Sequence, residues 1–209
     1  PLPLGAGLLL QTTGLEILRR LDLLTDALRL GAHIDHLYGR TYKGQVIFDI
    51  RYSELSSHLH GLGIQRGTLF GLLYGEIKKK NYLIHGDTAI QRVEQDSSAA
   101  WAITHKNHRY GPFDLIIDAS GLRSLVREAC ALRSQHKPYP WGAVWGLCSD
   151  HQGRFTKALR QVYHGPQIMI GALPVGHSLE KGDKSPPQVA FFWSMKADLL
   201  STFIKSDLS

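Results

Sequence analysis

A chain of 209 residues, 43% apolar and 20% charged, is long enough to bury a core as one large or two small domains and is too ordinary in balance to be disordered. Its longest apolar runs, such as Leu8–Leu10 and Leu115–Ile117, are far shorter than a bilayer crossing, and Pro1–Leu10 lacks the basic lead-in of a signal peptide. The net charge of +6 is scattered, with Lys78–Lys80 as its one run, which speaks against a nucleic-acid stripe and suits an anionic cofactor or substrate.

Gly7–Leu10 reads as a short strand, and the chain's opening on Pro rather than Met leads us to expect a true start upstream. A helix follows, with Thr13 and Glu16 as a capping box and Leu15, Leu18, Leu21, Leu24 and Leu28 at helical spacing, stopping at Gly31. Ile34–Tyr38 and Gln45–Ile50 are expected to pair as strands about a turn at Lys43–Gly44. A polar connector, Ser53 to Gly63, then leads to an amphipathic helix from about Gly67 to Lys79, closed by the lysine run that complements its dipole.

Tyr82–His85, Ala89–Glu94, Trp101–Lys106 and a turn at Gly111–Pro112 predict an antiparallel meander. Phe113–Asp118 changes character, being a near-continuous apolar run of the kind buried on both faces of a parallel sheet, before a glycine turn and a helix over Leu122–Leu132. Lys137-Pro138-Tyr139-Pro140 marks an expected domain boundary. Beyond it Ala143–Cys148, Arg160–His164, Gln167–Leu173 and Gln188–Ser194 read as an antiparallel sheet, and Met195–Ile204 as a helix.

The stretch richest in chemistry is Asp114-Leu-Ile-Ile-Asp118-Ala-Ser120-Gly121-Leu-Arg123-Ser124-Leu-Val-Arg127. It reads as a strand ending in an acidic residue, a small-residue turn and a helix start, where ligands gather and anions are favoured. Gly121 allows a close backbone approach. The same pattern also occurs in βα units that hold no ligand.

This stretch resembles the second FAD-proximal fingerprint of the FAD-dependent monooxygenases of the para-hydroxybenzoate hydroxylase type: apolar residues, Gly-Ala-Asp-Gly, a variable residue and Arg-Ser. The trailing Gly121-Leu-Arg-Ser-Leu-Val-Arg127 matches. Asp118 stands where Gly is common, and Ser120 where the motif has Asp. Three further passages resemble the family in the same order. They are Gly5–Leu24 after the first βαβ unit, the Arg66-Gly-Thr-Leu69 element, and the aromatic segments Tyr139–Trp145, Gln161–Tyr163, Met169–Gly176 and Phe191–Ser194 on the substrate side.

The resemblance implies an α/β (α+β) fold, with an incomplete FAD-binding Rossmann-like domain over residues 1–137 and part of an antiparallel substrate-binding sheet over 138–209. It implies FAD contacts at Arg66, Asp118, Gly121 and Arg123, and a pocket lined by Trp145, Tyr163, Phe191 and Trp193. The activity implied is NAD(P)H- and O2-dependent hydroxylation of an aromatic or conjugated small molecule. No side chain is assigned as a nucleophile. The family's first fingerprint, Gly-x-Gly-x-x-Gly, and its later Gly-Asp element have no counterpart here, so the chain reads as an internal piece of such an enzyme. A non-catalytic, ligand- or partner-binding remnant of the fold is the main alternative, and a related flavoprotein reductase or halogenase is a further one.

Other chemistries find little footing. His58-x-His60 and His105-x-x-His108 lack partners at metal spacing and read as solvated. Cys130 and Cys148 match no zinc or redox motif, which points to reduced thiols in a cytoplasmic protein. There is no nucleophile elbow and no P-loop.

Overall fold

The computed structural model describes residues 5–130, 137 and 139–206. Strand β1 (Gly7–Leu10) leads into α1 (Thr12–Arg20) and α2 (Leu24–Leu30) where the leucine spacing predicts a single helix. The break comes at Asp22, whose φ of 58° is left-handed, and the Leu23 amide closes the turn on the Leu18 carbonyl at 2.9 Å. This break re-phases the pattern. Leu15, Leu18, Leu23, Ala27 and Leu30 enter one core, whereas Leu21 and Leu28 remain at the surface. The expected capping box does not form either, because α1 starts two residues early, on an uncapped Gln11 in place of Thr13, and Glu16 pairs with Arg19 and Arg20 instead.

β2 (Ala32–Thr41) and β3 (Val46–Arg51) form the predicted hairpin, with Gly44 at φ 91° in its turn. β4 (Gly61–Gln65) occupies the end of the expected polar connector and is buried along its whole length. Its Leu62 and Ile64 complete the leucine core with Leu72 of α3 (Arg66–Lys79).

β5 (Ile90–Gln95), β6 (Ala100–Thr104) and β7 (Arg109–Phe113) make the predicted antiparallel meander, although Tyr82–His85 forms no strand. Strand β7 runs through Gly111–Pro112, the position of the expected turn, and that peptide bond is cis. The strand expected over Phe113–Asp118 ends at Phe113, and Leu115 and Ile117 are 73% and 79% exposed. No described strand lies beside this segment to pair with it, so its apolar residues have no sheet to enter. The helix after it is short, α4 (Leu125–Ala129), and part of the expected Leu122–Leu132 helix lies outside the described residues.

The remaining elements are β8 (Trp141–Ser149), β9 (Lys157–His164), β10 (Ile168–Gly176), β11 (Gln188–Lys196) and α5 (Ala197–Ser206). They join the early strands in one sheet of order β1-β4-β2-β9-β10-β11-β8, with β3 on β2. All its ladders are antiparallel except β2–β9, which is parallel. The architecture is thus α/β (α+β), a curled mixed sheet plus a separate antiparallel one, in keeping with the fold class expected.

The chain divides into two compact units, one made of residues up to Asn81 together with those from Tyr139 onward, the other of Tyr82–Pro138. The second unit ends at Pro138, one residue past the Pro-rich boundary expected at 137/138. Strands from both sides of it nevertheless share the large sheet, through β2–β9.

Curling brings β4 across β10. A Cβ on Gly63 would lie 1.9 Å from the Pro174 carbonyl oxygen, so only glycine permits this crossing. The end of β10 is tied down just beyond. The His177 amide donates to the Leu30 carbonyl at 2.6 Å, and the Thr68 hydroxyl donates to the His177 carbonyl at 3.1 Å. A second core, built on Ile34, Leu173, Val175 and Ala190, fills the inside of the curl.

Candidate functional site

Residues opposed across a ladder share a face, and neighbours along a strand alternate. The register therefore sorts the aromatic residues of the large sheet. Trp145 opposes Phe192, Phe192 opposes Gly171, and Gly171 opposes Gln161. Tyr163, two residues beyond Gln161, stands on this same face in a row with Met169, Ser194 and Ala143. Phe191 and Trp193 are out of phase and point to the opposite face, where Phe191 packs edge-on against Phe155 at 5.3 Å between ring centres. The expectation of one pocket lined by all four aromatics is corrected by strand alternation.

On the Trp145–Tyr163 face a cleft of about 740 Å³ opens, lined by Trp141, Ala143, Tyr163, Met169 and Ser194 among others. The Tyr163 hydroxyl donates to Gln161 Oε1 at 3.1 Å, and Gln161 Nε2 meets Met169 Sδ at 3.4 Å. The Ser194 hydroxyl donates to the Met169 carbonyl at 3.3 Å. Burial pushes the Tyr163 phenol up from its usual range, so it stays protonated and able to donate at neutral pH. The sequence singles out Tyr163 as a lining residue and gives Gln161, Met169 and Ser194 only as ends of substrate-side segments. Their signal was the period of two along each strand, which carries no chemistry until the register between strands is known.

Asp118 organises its own turn. Its Oδ1 accepts from the Ser120 amide at 3.0 Å and the Ser120 hydroxyl at 2.6 Å, and its Oδ2 accepts from the Ser124 hydroxyl. Ser124 is buried and in turn caps α4 by accepting from the Arg127 amide at 2.9 Å. The hydroxyl of Ser120, then that of Ser124, hold the Asp118 carboxyl below its usual range. Gly121 follows at φ 86°, and its Cβ direction faces open space. Arg123 is exposed and lines a shallow hollow with Ile117 and Ala119. Among the described residues its guanidinium has no partner.

Arg66 opens α3 straight after the buried β4, and its amide donates to the Ala6 carbonyl at 3.1 Å. Its stem lies against Gly5, where a Cβ would come 2.6 Å from Arg66 Cδ. The guanidinium is exposed and unpartnered among the described residues. Arg66 belongs to the first compact unit; Asp118, Gly121 and Arg123 belong to the second.

These side chains permit a test of fit to FAD. Arg66 and Arg123 offer free guanidinium groups suited to phosphate, and Gly121 leaves backbone accessible. Asp118 accepts three hydrogen bonds from its own turn, two on Oδ1 and one on Oδ2, and Oδ2 keeps a lone pair with which it can accept from a further donor.

The histidines divide. His58, His105 and His108 are exposed, as expected. His60 is not solvated at its ring nitrogen: Nε2 is buried without a hydrogen-bond partner among the described residues, and the ring stacks on His33 at 4.1 Å. No group of three or more metal-ligating side chains occurs among the described residues, and no described helix is long and apolar enough to cross a membrane.

No family model and no curated protein matches the sequence. Solved structures do match by shape. PqsL of Pseudomonas aeruginosa, a probable FAD-dependent monooxygenase, aligns over 95% of this chain and 52% of its own, at 17% identity and a TM-score of 0.74. The tetrameric form of 2-methyl-3-hydroxypyridine-5-carboxylic acid oxygenase aligns over 93% and 49%, at 15% identity and a TM-score of 0.73. A variant of HpxO from Klebsiella pneumoniae, solved with FAD, aligns over 93% and 49%, at 15% identity and a TM-score of 0.68. The chain therefore spans about half the length of these structures. At such identities the likeness is one of fold, and the fold is that of flavoprotein monooxygenases.

Proposed function

We propose that this chain forms part of an FAD-dependent monooxygenase that hydroxylates an aromatic or conjugated small molecule with NAD(P)H and O2. The observation that carries the reading is the match in fold, over 95% of the chain, to a probable FAD-dependent monooxygenase. The small-molecule partner draws support from PqsL, which is also known in complex with 2-aminobenzoylacetate.

In this reading the cofactor side lies within residues 1–137. Arg66, in the first unit, and Arg123, in the second, are each a candidate contact to FAD phosphate oxygens, and Gly121 leaves the backbone of its own turn open to approach. Asp118 is a positioning residue that holds the turn in shape through Ser120 and Ser124. FAD, when bound, supplies the oxygen-transfer chemistry. Within residues 138–209 the sheet face bearing Trp145 and Tyr163 seats the substrate and keeps water away from it. The free thiols Cys130 and Cys148 accord with a reducing compartment such as the cytoplasm.

The test is a visible absorbance spectrum of the purified 209-residue chain, with added FAD and after removal of unbound flavin. Yellow colour retained in proportion to protein supports the reading. A colourless chain that unfolds cooperatively turns it toward a binding remnant of the fold.

A further inference from the structure

We infer that strand β8 is a docking edge for a second copy of this chain, the two β8 strands pairing antiparallel about a two-fold axis at Trp145. The inference concerns assembly and stands apart from the flavin reading above.

An open edge is the first ground. β8 ends the large sheet, with β11 on its inner side, and the ladder between them runs from Trp141 to Ser149 without a register shift. Among the described residues no hydrogen bond reaches the outer amides and carbonyls of β8. Proteins blunt such edges with charge, proline, a bulge or brevity. β1 has four residues, β3 bears Asp49 and Arg51, β5 bears Arg92 and Glu94, and β7 bears Arg109 and Pro112. β8, with the sequence Trp-Gly-Ala-Val-Trp-Gly-Leu-Cys-Ser, has none of these devices over its nine residues. An unguarded edge of this length is a template for a further strand.

The second ground names that strand, because β8 turned about Trp145 complements itself. On one face Trp141 then stands opposite Ser149 of the second copy, and Ala143 opposite Leu147. On the other face Gly142 stands opposite Cys148, and Val144 opposite Gly146. Each pair sets a smaller side chain against a larger one, which suits close packing. At the centre the two Trp145 rings meet as a cross-strand aromatic pair. In the single chain that ring is 47% exposed.

Charge selects the same direction. Lys196 lies opposite Trp141 at one end of β8, and Asp150 follows Ser149 at the other. Antiparallel pairing brings the Asp150 end of one copy to the Lys196 end of the other. Parallel pairing sets like charges together.

The experiment takes the 209-residue chain and reads its oligomeric state by sedimentation equilibrium. One strand pair is a small interface, so the dimer is expected at about 100 μM chain. Trp145→Lys puts like charges directly opposite and should weaken the dimer by about tenfold or more, at an unchanged far-UV spectrum. Register is read separately by mild oxidation in a chain carrying Cys130→Ser and Cys148→Ser. There Trp145→Cys should cross-link to a second copy, because the two-fold places it opposite itself. Ser149→Cys should not, because it faces Trp141. The cross-linking pair also decides the matter should Trp145→Lys fail to fold. A chain that stays monomeric at that concentration overturns the inference. So does a dimer that Trp145→Lys leaves intact, or a Trp145→Cys chain that does not cross-link.

Discussion

Gly63 and Pro174 lie so close where β4 crosses β10 that a Cβ on the glycine would sit 1.9 Å from the proline's carbonyl oxygen. The obstacle is backbone on both sides, so no rotamer change relieves it. Gly63→Ala should cost about 3 kcal/mol through forced separation of the two strands. Chemical denaturation checks this as a fall in the midpoint at unchanged m-value. Gly75, whose Cβ direction is open, is the control, and there the same change should stabilise because the site lies inside α3.

The Asp118 turn should respond to pH in one direction. Its carboxyl titrates below the ordinary value of 3.8 in the folded chain because the Ser120 and Ser124 hydroxyls favour the charged form. A depressed folded pKa gives stability that is present above the unfolded value and lost as pH falls through the folded one. Asp118→Asn should therefore lower the melting temperature of the unit containing it at neutral pH, and the gap to the parent should close only below pH 3.8. Ser124→Ala removes the cap of α4 as well and should cost about 1 kcal/mol.

His60 carries a buried ring nitrogen with no partner among the described residues. Replacing an unsatisfied buried polar group by an apolar one of like shape should stabilise the chain. His60→Phe keeps the stack on His33 and should raise stability by about 1 kcal/mol, read from denaturant unfolding. An equal loss would show that the nitrogen is bonded in solution.

Arg66 tests the cofactor reading. Its guanidinium holds no described partner, so Arg66→Ala should leave the fold intact. Loss of a charge-assisted bond to phosphate should weaken FAD binding by about tenfold or more. Arg66→Lys should recover part of that loss, as a point charge replaces a fork. Flavin fluorescence titration provides the measurement.

Much of the fold was legible in the sequence. The leucine spacing from Leu15 to Leu28 placed helix there, and the β-rich, aromatic segments beyond Pro140 placed strands at β8–β11. What failed did so for physical reasons. The left-handed Asp22 broke the helix while the leucines kept to one core. β4 escaped notice because Gly61-Leu-Gly-Ile is short and glycine-rich, and its place is set by partners distant in sequence. The Phe113–Asp118 run looked like a buried strand, yet a strand exists only where another offers it an edge. For the site, Tyr163 was visible as chemistry, but its companions Gln161 and Met169, and its separation from Trp193, depend on cross-strand register that no single strand encodes.

The parallel β2–β9 ladder also has a cost during synthesis. One edge of β2 must wait for a partner roughly 120 residues downstream, on the order of ten seconds at ordinary rates of translation. Through that interval the nascent chain presents an open edge while the Tyr82–Pro138 unit is being made. The growing chain is thus most exposed to mispairing midway through its making, and a chaperone that covers β2 there should raise the yield more than one acting after release.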